Sequence, residues 1–269
     1  MGGGMAQIQR NAPLLELENA TVRRSGRDIL SIEKLTIERG EQVVVLGPNG
    51  AGKSTLVKLL THEIHPLFRE KPPVRFCGNP RPVTADIRRL VGVVSMTAQS
   101  QITVHLPVIE IVLGGLFGSL GIPARFKPTE GQRAKAHECL CELGIEQLEQ
   151  HDILTLSTGQ ARRVLIARAL VGDPSIMVLD EPSSGLDPEG AWHVRQSLAA
   201  MARAGRSIML VTHLVEDIQP EMNRVLLVKD GRLVGDGAKV DMITQESLQT
   251  LFDVPLQVLR TEDGIYHAW

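Results

Sequence analysis

Residues 47–55 read Gly47-Pro48-Asn49-Gly50-Ala51-Gly52-Lys53-Ser54-Thr55, which matches the spacing G-x-x-x-x-G-K-[ST]. Small residues let successive backbone N–H groups turn inward around an anion. A helix starting at this point aims its positive end at the same place. Lys53 is spaced to reach the β- and γ-phosphates of a nucleotide, and the Ser54 hydroxyl to ligate Mg²⁺. The run Ile176-Met177-Val178-Leu179-Asp180-Glu181 supplies a second half. A carboxylate at the C-terminal end of a buried strand can hold Mg²⁺ through water, which is the role expected of Asp180. Glu181 follows at once and can orient and polarise an attacking water.

A third segment, Leu156-Ser157-Thr158-Gly159-Gln160, precedes a stretch that is apolar at helical spacing. By itself it reads as an N-cap serine and a flexible glycine opening a helix. Beside the other two motifs it reads as a second phosphate-binding helix end. Arg162 and Arg163 are expected to be solvated or interdomain residues rather than catalytic ones.

These groups need a scaffold, and the surrounding pattern describes one. Strands are expected at residues 14–18, 31–38, 42–46, 91–94, 176–179 and 208–212. The valine-rich run 42–46 suits a strand buried on both faces and leads straight into Gly47. Helices are expected at residues 54–60, 107–113, 130–143 and 161–171. The third of these opens on the capping box Thr129-Glu130-Gly131-Gln132 and stops at Gly144, with Ala136, Leu140 and Leu143 as its apolar stripe. Asp187-Pro188 caps a further helix to about Ala204, and Asp230-Gly231 turns a hairpin within residues 225–234. The expected fold class is therefore α/β. A P-loop core with a mixed sheet carries an antiparallel β subdomain and an inserted α-helical subdomain.

Composition narrows the function classes. The 269 residues carry 29 Lys plus Arg against 31 Asp plus Glu, and aromatics are 3%, which argues against a nucleic-acid binder. Three cysteines (Cys77, Cys139, Cys141) are too few for a disulfide framework, so reduced thiols are expected. No signal peptide or membrane span is expected, since residues 111–124 are apolar but interrupted by glycines and Pro123. A GTPase reading lacks an N-K-x-D motif at any of Asn11, Asn19, Asn49, Asn79 or Asn223, and a kinase leaves residues 156–160 unexplained.

The order 47–55, 156–160, 176–181, then Ser184-Gly185-Leu186-Asp187 and His213 after a strand, strongly resembles the ATP-binding cassette (ABC) ATPases. The resemblance spans about residues 14–240. It implies an ATP-binding domain over 12–246, with the helical subdomain at about 97–160 and a C-terminal extension, 247–269, packed on the core. It implies an Mg²⁺-dependent ATPase that works as a homodimer or paired cassette. Ser157, Gly159 and Gln160 would be a signature that meets ATP on the partner subunit's P-loop. Ser184 and Asp187 would belong to a loop crossing the dimer interface, and His213 would contact the γ-phosphate. The expected setting is cytoplasmic, at the inner face of the membrane, reached only through transmembrane subunits on separate chains. The substrate expected by analogy is a metal or an oxyanion. The alternative is a non-transport cassette, such as one serving iron–sulfur cluster assembly.

Two positions depart from the family pattern. No aromatic residue precedes Phe68, so Arg24 is the candidate to stack on adenine. Met96 stands where a loop glutamine near Mg²⁺ is expected. A thioether is a poor Mg²⁺ partner, and Gln99 is favoured over Gln101 as its replacement.

Overall fold

A computed structural model describes residues 12–95 and 102–269. The N-terminal third is built of strands β1 (Leu15–Arg24), β2 (Arg27–Ile37) and β3 (Gln42–Leu46), followed by helix α1 (Lys53–Leu60). Next come β4 (Val74–Phe76), α2 (Thr84–Leu90) and β5 (Val91–Ser95). The middle is helical, with α3 (Val108–Gly114), α4 (Glu130–Glu142) and α5 (Thr158–Leu170). Then β6 (Ile176–Asp180), α6 (Pro188–Arg203), β7 (Ile208–Thr212), β8 (Arg224–Lys229) and β9 (Arg232–Ala238) complete the core. Helices α7 (Lys239–Met242) and α8 (Gln245–Phe252) and the hairpin β10 (Val258–Arg260) and β11 (Tyr266–Ala268) close the chain.

Nine strands form one mixed sheet in the order β4-β1-β2-β9-β8-β3-β7-β6-β5. The pairs β3–β8, β3–β7, β7–β6 and β6–β5 are parallel, while β1–β2, β1–β4 and β8–β9 are antiparallel. The antiparallel region is thus continuous with the parallel core. Its connection to β9 is the parallel register Ser31↔Arg232.

The parallel strands explain why the core is so apolar. Val44, Leu46, Met177, Leu179, Ile208 and Leu210 share one hydrophobic cluster with α3, α4, α5 and α6. Val43, Val45, Ile176, Val178, Met209 and Val211 share the other with β1, β2 and α1. Successive side chains of a strand point to opposite faces, so a strand covered on both sides must be apolar throughout. Each fully buried Val, Leu or Ile contributes about 1.5–3 kcal/mol.

The expected elements are present, with two differences of extent. The alternating stretch at 14–18 opens a strand of ten residues, and the 31–38 stretch is the second half of one that starts at Arg27. Pairing with each other, not burial alone, extends them, so their exposed polar ends carried no apolar signal. The capping box is formed as read: Thr129 accepts from the Gln132 N–H, and Gln132 accepts from the Thr129 N–H. Among the described residues, no helix is long and apolar enough to cross a membrane.

Candidate functional site

The loop between β3 and α1 is shaped by close backbone approach. A Cβ on Gly47 would stand 2.1 Å from the Val228 carbonyl oxygen, so only glycine fits. The turn after β8 braces the same loop, because the Gly231 N–H donates to the Ala51 carbonyl at 2.9 Å. Helix α1 starts at Gly52 (φ 101°) with no side-chain cap. Its first N–H groups are therefore left for an outside acceptor. Lys53 is 5% exposed and donates to the carbonyls of Gly47 (2.7 Å) and Pro48 (2.9 Å). Burial pulls the Lys53 ammonium below its ordinary range, against the opposing pull of Glu181 and Asp180.

Strand β6 brings the acids to this lysine. Asp180 lies opposite Ser95 on β5 and Val211 on β7. Among the described residues, its buried Oδ1 has no hydrogen-bond partner. Burial, then the neighbouring Glu181, push the Asp180 carboxyl up, while Lys53 and the Ser54 hydroxyl pull it down. A buried, orphaned carboxylate oxygen beside a hydroxyl is a fit for a hard divalent cation such as Mg²⁺.

Glu181 sits at φ 51°, in the left-handed region that costs a non-glycine residue about 1–2 kcal/mol. The strained turn aims its carboxylate back into the site. Oε1 is 3.8 Å from Lys53 Nζ and 3.1 Å from His213 Nδ1, and Oε2 accepts from the Ser184 hydroxyl at 3.3 Å. The structure thus brings Lys53, Asp180, Glu181, Ser184 and His213 together around the mouth of the 47–55 loop.

The other candidates lie in a different arrangement. Ser157 is the N-cap of α5, accepting from the Gln160 N–H at 3.3 Å while Gln160 Oε1 accepts from the Ser157 N–H at 3.0 Å. Gly159 packs on α6, where a Cβ would stand 2.8 Å from the Gly190 Cα. Asp187 caps α6 through the Gly190 N–H at 2.8 Å. Arg24 is exposed at the end of β1, opposite Arg27. Met96, Gln99 and Gln101 fall outside the described residues.

One reading is narrowed to its second alternative, and one residue was missed. Arg162 and Arg163 are not solvated, being 2% and 8% exposed. The Arg162 guanidinium donates to the Pro182 carbonyl at 3.0 Å and reaches the Glu181 carbonyl at 3.4 Å, tying α5 to the loop after β6. The pattern of the α5 face was the missed signal, since both arginines sit among residues buried all round. Asp217 was also overlooked. It is fully buried in the one-turn helix Val215–Asp217, and an acid between Val215 and Ile218, four residues after His213, was the available hint.

A family model described as "ABC transporter" matches residues 30–184. The chain is 33% identical over 252 residues to an uncharacterized ABC transporter ATP-binding protein, YlmA of Bacillus subtilis (strain 168), covering 93% of this chain and 95% of that one. It is 32% identical to the zinc transport system ATP-binding protein TroB of Treponema pallidum (strain Nichols), covering 92% and 90%. Its fold is similar to that of cbiO1 from Clostridium perfringens, part of the ABC transporter complex cbiONQ. The TM-score there is 0.75, with 26% identity over 89% of this chain and 94% of that one. With its site geometry and its sequence in agreement, the chain belongs to the ABC transporter family, as an ATP-binding, transport-coupled ATPase cassette.

Proposed function

We propose that this cassette binds ATP with Mg²⁺ at the 47–55 loop, hydrolyses it as a dimer, and drives import of a metal ion through separate membrane subunits. The observation that carries the hydrolytic reading is the convergence of Lys53, Glu181 and His213 beside the orphaned Oδ1 of Asp180. The backbone of residues 47–52 and the first turn of α1 cradle the phosphates. Lys53, now satisfied by two loop carbonyls, exchanges them for phosphate oxygens. Ser54 and Asp180 would hold Mg²⁺, which neutralises phosphate charge when bound. Glu181 orients the attacking water, and His213, hydrogen-bonded to the same carboxylate, presents its other ring nitrogen toward the γ-phosphate.

Ser157, Gly159 and Gln160 complete the partner's site, with Ser184 and Asp187 on the connecting loop. Arg24 stacks on the base, and Gln99 takes the place of the loop glutamine. Metal transport is supported by the likeness to the zinc-system protein TroB. A cleft of about 1090 Å³ between the core and the helical insertion, lined by Arg88, Arg89, Phe117 and Arg168, suits a segment of a membrane subunit. Binding there would hold the chain at the cytoplasmic face of the membrane.

The test is Glu181→Gln. Hydrolysis should fall by roughly 10²–10⁴ with ATP binding retained, and the variant should elute as a dimer in ATP but not in ADP. Normal turnover would remove Glu181 from this role.

A further inference from the structure

The Glu181–His213 contact is held in a way that neither residue explains. Glu181 carries a strained backbone, and such conformations persist only where the surroundings over-determine them. Its N–H donates to the Val211 carbonyl at 2.8 Å, which fixes one side. The chain leaving it is held by Arg162 at the Glu181 and Pro182 carbonyls, and at Ser183 by a further group.

That group is Asp217. Its side chain is fully buried, and one oxygen, Oδ1, accepts from the Ser183 hydroxyl at 2.5 Å and from Arg195 Nε at 2.9 Å. The other, Oδ2, accepts from the Thr212 hydroxyl at 2.8 Å. Ser183 is two residues after Glu181, and Thr212 immediately precedes His213. The Thr212 oxygen also accepts from the Leu214 N–H at 3.0 Å, so both neighbours of His213 are bound to one hydroxyl. Arg195, on α6, neutralises the carboxylate and anchors the network to a helix.

We propose that Asp217 is a positioning residue for hydrolysis, setting the Glu181 loop and the His213 turn in register through Ser183 and Thr212. This rests on the assignment of Glu181 and His213 to the reaction. A buried carboxylate with three donors is a rigid bracket, because each hydrogen bond to a charged acceptor is short and directional. The Glu181–His213 separation of 3.1 Å then follows from two hydroxyls meeting one carboxylate. Misplacing reacting groups by about 1 Å costs on the order of 100-fold in rate, so small slips here are readable in kcat.

Asp217→Asn leaves the half-buried Arg195 guanidinium without its counter-ion and weakens a fully buried network, which risks unfolding, so the hydroxyls are the better probes. Ser183→Ala and Thr212→Val remove one hydrogen bond each, whereas Ser183→Thr and Thr212→Ser retain it. Steady-state ATPase assays with thermal melts on all four, beside Glu181→Gln, decide the matter. The expected result is a loss in kcat of about 10-fold or more for the first pair with the KM for ATP unchanged. The hydroxyl-retaining pair should stay within about twofold of the parent, since the positioning hydrogen bond survives. Equal losses in both pairs, or normal kcat in all four with only the melting temperature lowered, would make the network a packing feature and overturn the proposal. If Glu181→Gln itself turns over normally, the underlying assignment fails, and that result is distinct from the others.

Discussion

Two helix starts in this molecule face opposite electrostatic situations. Helix α1 begins at Gly52 with no side chain closing its first turn, and a buried lysine stands beside it. Helix α5 begins at Ser157 and is closed by its own capping box with Gln160. The first is a charged site that needs an anion to be complete. The second is already satisfied as a helix. A serine hydroxyl carries one donor and two acceptor positions, so Ser157 can accept from Gln160 and still donate its proton outward. The difference shows why two helix N-termini need not be suited to the same work: one leaves its first N–H groups open to an acceptor, while the other offers a single directed donor from an exposed position.

This contrast is sharpest in a mixed dimer. With Lys53→Ala on one subunit and Ser157→Arg on the other, both changes fall in the same composite site, the second site stays intact and activity should persist. With both substitutions in one subunit, each composite site carries one of them, and hydrolysis should fall by about 100-fold or more, as expected on losing positioning and charge together. ATPase assays on doubly tagged heterodimers read this directly. Activity retained only with both substitutions in one subunit would mean that each site is built within one chain.

The next effect is steric. Gly159→Ala drives a Cβ to within 2.8 Å of the Gly190 Cα, backbone against backbone, and should cost about 1–3 kcal/mol. Gly131→Ala, on α4 with open space around it, should be neutral or stabilising. Chemical denaturation of the two variants measures the gap, and equal midpoints would break the claim that α5 is locked onto α6. Ser157→Ala should be milder, removing the cap for about 1 kcal/mol. At this chain length that is a fall of roughly 2–4 °C in melting temperature. The smallest effect is on the base: Arg24→Ala should weaken ATP binding by about 0.5–1 kcal/mol, and Arg24→Tyr should restore it. Calorimetric titration with equal affinities in all three proteins would leave Arg24 a solvated residue.

Legibility in the sequence followed the range of each interaction. The 47–55 loop and residues 176–181 could be read because contiguous residues make them. The capping box at Thr129 and the N-cap role of Ser157 could be read for the same reason, while the return bond from Gln160 came only with the structure. Asp217 was opaque because its partners lie 5, 22 and 34 residues away and meet only in the folded core. For Arg162 the sequence leaves a solvated and an interdomain setting open, because charge usually signals solvent, and the α5 face turns it onto two carbonyls instead. Strand β4 and the β10–β11 pair, three residues each, were too short to display a period.

The turn at residues 230–231 carries a consequence for the order in which the protein becomes competent. Its N–H holds the Ala51 carbonyl, and the Val228 carbonyl walls in Gly47, so the loop that receives phosphate is braced from a point about 180 residues further along the chain. During synthesis from the N-terminus, the loop's own residues emerge well before their brace, which follows about 180 residues later. Closing so long a separation is slow relative to forming α1 alone. A nascent chain halted before residue 228 therefore has the loop's sequence without its shape. Shaping of the loop thus waits on the arrival of residues 228–231.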